Sequence, residues 1–174
     1  MRIIAGKHRG RVLAPIKGMA IRPTPDRVKE SLFQILSDRM QGARVIDLFA
    51  GSGALGIECL SRGAQEVLFN DASQESVVLV EKNLRLAGER ARVFNLDFRT
   101  FLNRAEGKFD LIFCDPPYKE EYLNEILGIA KERGLLNPGG LVVYESERKE
   151  YGIEGWTLAD SRSYGRVNIT VWQL

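Results

Sequence analysis

The sequence has two cysteines and one histidine in 174 residues. Cys59 and Cys114 make neither a disulfide framework nor a thiolate cluster for a metal. A lone His8 excludes a histidine-rich metal site and argues against a serine–histidine–aspartate triad. Long apolar runs are also missing. The longest, such as Leu141-Val142-Val143-Tyr144, fall far short of the roughly 20 residues that a membrane helix needs. The N-terminal segment is basic but lacks the apolar stretch of a signal peptide. These absences predict a cytoplasmic chain with no metal and no membrane partner. Internal repeats and low-complexity tracts are absent too. What remains is ordinary for one globular domain, with 44% hydrophobic and 28% charged residues. A chain of this length buries about 70% of its unfolded surface, enough for a single core without staples.

Charge is present but unevenly placed. The net charge is only +2. Residues 1–44 nevertheless hold ten lysines and arginines against Asp26, Glu30 and Asp38, a local balance of +7 that leaves the rest of the chain at −5. A basic segment on a mildly acidic body is an electrostatic footprint for a polyanion, or else a solvated basic face. Residues 1–14 lean toward a β-hairpin around a Gly6-to-Gly10 turn, and residues 15–23 read as a linker with Pro15, Gly18 and Pro23. The predicted organisation is an arm over 1–22 and a main domain over 23–174. Thr24 and Pro25 open a helix whose apolar face is Val28, Leu32, Ile35, Leu36 and Met40.

From residue 44 the pattern alternates. Residues 44–49, 66–70, 91–96, 109–114 and 141–146 read as strands, and 53–62, 73–87, 98–105 and 120–133 as helices. Gly63, Gly88 and Gly134 fall where helix C-terminal glycines belong. This rhythm implies βαβ units, an α/β Rossmann-like fold and a mostly parallel sheet. Residues 156–161 and 167–173, around Tyr164-Gly165, predict a C-terminal antiparallel hairpin at one sheet edge. Trp156 and Trp172 within it read as core.

The first strand runs into Ala50-Gly51-Ser52-Gly53-Ala54-Leu55-Gly56. Glycines at such a turn let the backbone approach a ligand, and the helix that follows favours negative charge at its start. Asp71 ends the second strand, where its carboxylate can accept both hydroxyls of a ribose. Asp97 ends the third; it can accept from an adenine amino group, and it can equally cap the helix over 98–105. The set indicates a nucleoside cofactor. Gly51, Gly53 and Gly56 also match the dinucleotide fingerprint, so the loop leaves the cofactor open.

The fourth strand ends in Asp115-Pro116-Pro117-Tyr118. Two prolines remove two N–H donors. A carboxylate and carbonyls remain, and acceptors alone suit an exocyclic amino group, which is a double donor. Asp115 and the Pro116 carbonyl can hold both protons and draw the nitrogen toward tetrahedral geometry. Tyr118 offers a ring for a base to stack on, worth about 1–3 kcal/mol.

The run Asp47-Leu-Phe-Ala-Gly-Ser-Gly-Ala-Leu-Gly-Ile-Glu58 together with Asp115-Pro-Pro-Tyr118 resembles class I methyltransferases of the amino-group type. Three N-terminal stretches, Arg2-Ile-Ile-Ala-Gly6, Arg9-Gly-Arg-Val-Leu13 and Arg22-Pro-Thr-Pro-Asp-Arg-Val-Lys-Glu-Ser-Leu-Phe33, narrow this to a resemblance to the bacterial 16S rRNA guanine-N2 methyltransferase family (RsmD-like) over nearly the whole chain. The resemblance implies a seven-stranded sheet with residues 167–173 antiparallel. It also implies S-adenosyl-L-methionine as cofactor, held by Asp47, Phe49, Gly51, Ser52, Gly53, Asp71, Asp97 and Phe98. Asp115, Pro116, Pro117 and Tyr118 would be catalytic. The N-terminal hairpin would grip ribosomal RNA or the small ribosomal subunit through Lys7, His8, Arg9, Arg11 and Arg22, and the protein would act as a monomer. Family members often carry Glu at the position of Asp71.

The rival readings are a DNA adenine-N6 methyltransferase, an NAD-dependent oxidoreductase and a non-catalytic RNA-binding module. The first lacks an added DNA-recognition domain. The second leaves residues 115–118 without a role, and the third leaves the glycine loop without one. Cys59 and Cys114 read as small buried hydrophobes. Glu145, near the end of the fifth strand, receives no role from the sequence.

Overall fold

The computed structural model describes residues 1–16, 26–117, 121–148 and 152–174. Seven strands form one sheet: β1 (Arg44–Asp47), β2 (Glu66–Asn70), β3 (Arg92–Phe94), β4 (Phe109–Cys114), β5 (Leu136–Ser146), β6 (Thr157–Tyr164) and β7 (Val167–Gln173). Their order is β3-β2-β1-β4-β5-β7-β6. The first five run parallel, and β7 pairs antiparallel with β5 and β6. The chain winds outward from β1 to β3, then returns to β4 on the other side. A switch in direction between β1 and β4 opens a crevice at the carboxyl ends of the strands, where open α/β sheets bind ligands. The α/β fold with a C-terminal antiparallel hairpin is therefore as the alternation predicts.

Both faces of the parallel strands are apolar because helices cover both. On one face α1 (Asp26–Ile35), α2 (Ala54–Ser61) and α3 (Gln74–Ala87) pack on Val45, Val67, Phe69, Leu111, Phe113 and Val143. On the other, α4 (Phe98–Arg104) and α5 (Leu123–Glu132) pack on Ile46, Leu68, Ile112, Cys114, Val142 and Tyr144, joined by Trp156 and Trp172. Both tryptophans are buried, as the sequence predicts.

The residue pattern and the structure differ at several element boundaries. The first helix ends at Ile35, and Ser37–Arg39 form a separate 3-10 turn in which the Ser37 hydroxyl donates to Asp38. Local side-chain bonding of this kind competes with helix continuation. Met40 is buried, yet from the loop and not from the helical face expected of it. Strand β3 is three residues long, β5 begins five residues earlier than its apolar run, and β6 extends to Tyr164. The helix over 120–133 is shorter, starting at Leu123. The expected cap at Thr24 and Pro25 lies outside the described residues.

The N-terminal hairpin is built as expected, with Arg2 bridged to Val12. Ile3 and Leu13 are buried in the same core as α1, α2 and α3. The underside of the hairpin is bolted by Glu58 of α2, fully buried, whose carboxylate accepts the backbone N–H of Ile4 at 2.8 Å and of Ala5 at 3.0 Å. Arg62 donates to it at 2.8 Å, and buried Lys29 lies 3.4 Å away while donating to the Arg2 carbonyl. Among the described residues, no helix is long and apolar enough to cross a membrane.

Candidate active site

The carboxyl ends of four neighbouring strands each deliver an acid: Asp97 after β3, Asp71 after β2, Asp47 at the end of β1, and Asp115 after β4. The glycine loop connects β1 to α2 within this row. Gly53 precedes the helix at φ +76°, a left-handed conformation that a side chain would strain. A Cβ on Gly56 would run into the Phe69 ring, so the third glycine lets α2 lie close on β2.

Two carboxylates shape the loop. Asp47 is buried and accepts the N–H of Gly56 at 2.9 Å, pinning the first turn of α2. Burial, helped by the nearby Asp71 carboxylate and opposed by the Gly56 hydrogen bond, pushes the Asp47 carboxyl up to about 7. Asp71 accepts the N–H of Gly51 at 2.8 Å with one oxygen and that of Ser73 at 2.8 Å with the other. Asn70, which the sequence did not single out, ties three strand ends together. Its amide donates to the carbonyls of Leu48 at 3.2 Å and Leu96 at 3.0 Å, and its backbone carbonyl accepts from Ala50 at 2.9 Å. Its Oδ1 is buried without a hydrogen-bond partner among the described residues.

Asp97 performs the capping role anticipated for it. Its carboxylate accepts the N–H of Arg99 at 3.0 Å at the start of α4. The adjacent Phe98 is buried in an aromatic cluster, 5.5 Å from Phe49 and 4.7 Å from Tyr122 between ring centres. Phe49 and Tyr122 lie parallel, 4° apart in plane. Arg99 sits over the Phe98 ring at 4.4 Å and pairs with Glu125 at 2.5 and 2.7 Å. Tyr122, Arg99 and Glu125 are additions that sequence reasoning missed. An aromatic four residues beyond Tyr118 was the available signal for Tyr122.

Asp115 is half-buried beside a buried Pro116 and an exposed Pro117. Tyr118 lies outside the described residues. Burial raises the Asp115 carboxyl well above the usual carboxylate range, and the carboxylates of Glu145 and Asp47 push in the same direction. Glu145 is itself buried. Because Cys114 pairs with Tyr144 across the parallel β4–β5 ladder, Asp115 and Glu145 occupy the next positions on neighbouring strands. The Tyr144 hydroxyl accepts the N–H of Tyr122 at 3.3 Å, which sets Tyr122 against β5. Burial pushes the Cys59 and Cys114 thiols well above their ordinary range. Both behave as small hydrophobes, as read from the sequence.

The structure brings Asp47, Phe49, Gly51, Ser52, Gly53, Asp71, Asp97 and Phe98 to one edge of the sheet, beside Asp115, Pro116 and Pro117. The hairpin residues lie apart, over α2 and α3. Lys7 and His8 both reach Glu89, at 2.6 and 2.7 Å. Although partial burial opposes it, hydrogen bonds from Lys7 and His8 hold the Glu89 carboxyl below its ordinary value. Arg11 donates to the Leu86 and Ala87 carbonyls at the end of α3, and Arg9 is exposed. Arg22 lies outside the described residues.

This arrangement fits a nucleoside-type group. Asp71 offers a carboxylate for ribose hydroxyls, Asp97 an acceptor for an amino group, and Phe49 and Phe98 an apolar wall for a ring. A family model described as "Conserved hypothetical protein 95" matches residues 1–173. The chain is 36% identical to the ribosomal RNA small subunit methyltransferase D of Haemophilus influenzae, covering 99% of this chain and 93% of that one. It is 35% identical to the protein of the same name from Escherichia coli K12, covering 99% and 89%. The solved structure of a hypothetical protein from Thermus thermophilus superposes with a TM-score of 0.83 at 32% identity, covering 98% of each chain.

Proposed function

Because the chain belongs to the family described as Conserved hypothetical protein 95, we propose that it transfers a methyl group from S-adenosylmethionine to the exocyclic N2 of a guanine in 16S ribosomal RNA. Two relatives that span nearly the whole chain are named as small-subunit ribosomal RNA methyltransferases, which supports the substrate class. The observation that carries the chemistry is the position of Asp115-Pro116-Pro117. It follows β4 at the switch point, one strand from the glycine loop, with the acids Asp47 and Glu145 beside it.

S-adenosylmethionine, when bound, supplies an electrophilic methyl carbon on a sulfonium. Asp71 would hold its ribose, Asp97 its adenine amino group, and Phe49 and Phe98 its ring. The Gly51–Gly53 turn and Ser52 would admit its remainder, and Asp47 would keep that turn in place through Gly56. The substrate amine is a poor nucleophile because its lone pair is delocalised into the base. Asp115 and the Pro116 carbonyl accept its two N–H bonds and free that lone pair. Orientation of this kind contributes part of the roughly 7–11 kcal/mol available from positioning. Asp115, with a raised carboxyl pKa, then takes the proton that the methylated amine must lose. Tyr118 supplies a stacking face. The base leaves its stack to reach the pocket. Residues 1–22 serve as an extension that holds RNA through Lys7, His8, Arg9, Arg11 and Arg22.

The test is incubation of the protein with tritiated S-adenosylmethionine and isolated small ribosomal subunits, naked 16S rRNA or DNA, followed by nucleoside analysis. N2-methylguanosine in the rRNA is expected. Label found as N6-methyladenine in DNA, or no transfer to any substrate, overturns the reading.

A further inference from the structure

The proposed reaction uses the sheet edge from β3 to β4. The same edge continues across β5, β7 and β6, and an open cavity of about 630 Å³ lies there, lined by Glu147, Ser163, Gly165, Arg166 and Asn168. Strand register fixes its position. Asp115 and Glu145 are neighbours across β4 and β5. Glu147 lies two residues further along, about 6.6 Å at 3.3 Å per residue. From the other side, Asn168 pairs with Ser146 and with Ser163, and Gly165 at φ +65° turns the chain so that Arg166 stands at the hairpin tip. The cavity therefore begins roughly one nucleotide's reach from the proposed target amine.

The charges around it are unequal in one informative way. Arg148, next to Glu147, pairs with Glu121, and Arg162, next to Ser163, pairs with Asp160. Arg166 is exposed and has no carboxylate partner among the described residues. An arginine left unpaired in a cavity wall is a ready donor fork for a phosphate. The other lining groups narrow the ligand. The Ser163 hydroxyl donates to Asn168 Oδ1 at 2.6 Å. The Asn168 side-chain N–H groups have no acceptor among the described residues, so they can donate to a ligand oxygen. Glu147 is an exposed carboxylate that accepts only, and it would repel a run of phosphates. One phosphate beside a hydroxyl-bearing sugar satisfies all of these groups, and a 2′-hydroxyl gives Glu147 a donor that DNA lacks.

We propose that this groove seats the ribose-phosphate of the ribonucleotide adjoining the flipped target base, with Arg166 on the phosphate and Glu147 and Asn168 on the sugar. The proposal rests on the reading that the substrate is RNA. It also answers a difficulty raised by the hairpin. There Lys7, His8 and Arg11 already have protein partners, so the hairpin alone is a weak clamp for phosphates.

The experiment uses the full chain with a 16S rRNA transcript, with isolated small subunits, and with a single-stranded DNA copy of the transcript's target region. Wild-type methyl transfer to the transcript or the subunit is scored first; its absence overturns the substrate reading and this proposal with it. With transfer present, Arg166→Ala is expected to raise KM for RNA about tenfold with kcat held. It should lower the slope of log affinity against log salt by about one unit. Arg166→Lys should restore the slope, while S-adenosylhomocysteine affinity and melting temperature stay at wild-type values in both variants. Arg162→Ala, which removes an already paired arginine from the same hairpin, should leave the slope alone. An unchanged slope and KM in Arg166→Ala, or an equal loss in Arg162→Ala, overturns the groove while leaving the methyltransferase reading intact. The wild-type protein should bind the DNA copy at least tenfold more weakly than RNA; equal binding removes the ribose from the proposal.

Discussion

The Asp71 carboxylate accepts the backbone N–H of Gly51 at 2.8 Å, across 20 residues of sequence. A single side chain at the end of β2 thus sets the shape of the glycine loop after β1, and the same carboxylate is the proposed acceptor for the cofactor's ribose. Its other oxygen holds the Ser73 N–H at 2.8 Å, immediately before α3. Asp71→Ala should weaken S-adenosylhomocysteine binding by about 1–3 kcal/mol, the cost of losing a charged acceptor. Asp71→Asn, which retains one acceptor oxygen, should lose less. Titration calorimetry on the three proteins checks the ranking, and equal affinities would remove Asp71 from the cofactor site.

Asp47 carries a pH dependence whose sign follows from its burial. Its carboxyl stands at about 7 in the folded chain against 3.8 for an unperturbed aspartate. Below pH about 4 the carboxyl is protonated in both folded and unfolded chains and carries no penalty. Between about 4 and 7 the unfolded chain ionises first, so stability falls as pH rises, and the loss is complete above about 7. Asp47→Asn keeps an oxygen for the Gly56 N–H and cannot ionise. Relative to wild type, its stability should improve with pH across that window by on the order of 1–4 kcal/mol and then level off. Urea unfolding at pH 4.5, 6 and 8 measures this; a difference independent of pH would mean that Asp47 stays ionised in the fold.

Asp115 and Glu145 occupy adjacent positions at the ends of β4 and β5. Burial does most to raise the Asp115 carboxyl, and the Glu145 carboxylate adds to it. Asp115→Ala should abolish methyl transfer while leaving S-adenosylhomocysteine affinity within a few-fold, because Asp115 is assigned to the amine and not to the cofactor. Glu145→Gln removes a like charge and should lower the Asp115 pKa. If ionised Asp115 is the acceptor, the acid limb of the rate profile then moves to lower pH. A limb that stays in place in Glu145→Gln assigns it to another group.

Much of this site was legible before the fold was known, for identifiable reasons. Gly51, Gly53, Asp71 and Asp97 sit at turns after strands, where backbone requirement and position coincide in the sequence itself. Asp115-Pro116-Pro117 was legible because proline announces a missing donor. Tertiary partners were not. Asn70 reads as one more strand residue, and its role bridging the Leu48 and Leu96 carbonyls depends on the order of β1, β2 and β3. Glu145 gains meaning only when the β4–β5 register sets it beside Asp115. Glu58 belonged to a recognisable run, yet nothing local shows that its carboxylate holds the hairpin from beneath. The early start of β5 is not visible in the apolar run, because Pro138-Gly139-Gly140 stands between Leu136 and Leu141. The structure absorbs it as a register shift against β4, with Gly139 at φ +76°.

The hairpin separates two kinds of cation, and single substitutions should separate them in solution. Arg9 is exposed, and its side chain has no partner among the described residues. Arg9→Ala should leave the melting temperature unchanged and, if the arm touches RNA, lower the salt slope of RNA binding by about one unit. Arg11 caps the last turn of α3 through the Leu86 and Ala87 carbonyls. Arg11→Ala should cost about 1–2 kcal/mol of stability, a few degrees in melting temperature for a chain of this size. Glu58→Ala is the severe case. It takes away the Glu58 carboxylate beside buried Lys29 and strips the Ile4 and Ala5 N–H groups of their acceptor, so a loss of about 3–5 kcal/mol is expected. Melting curves and salt-dependent binding of a 16S transcript, measured on the same preparations, give the decision. If Arg9→Ala keeps the full salt slope while Arg11→Ala and Glu58→Ala unfold early, the hairpin is a structural brace of the glycine-loop helix. In that case RNA is held elsewhere along the carboxyl edge.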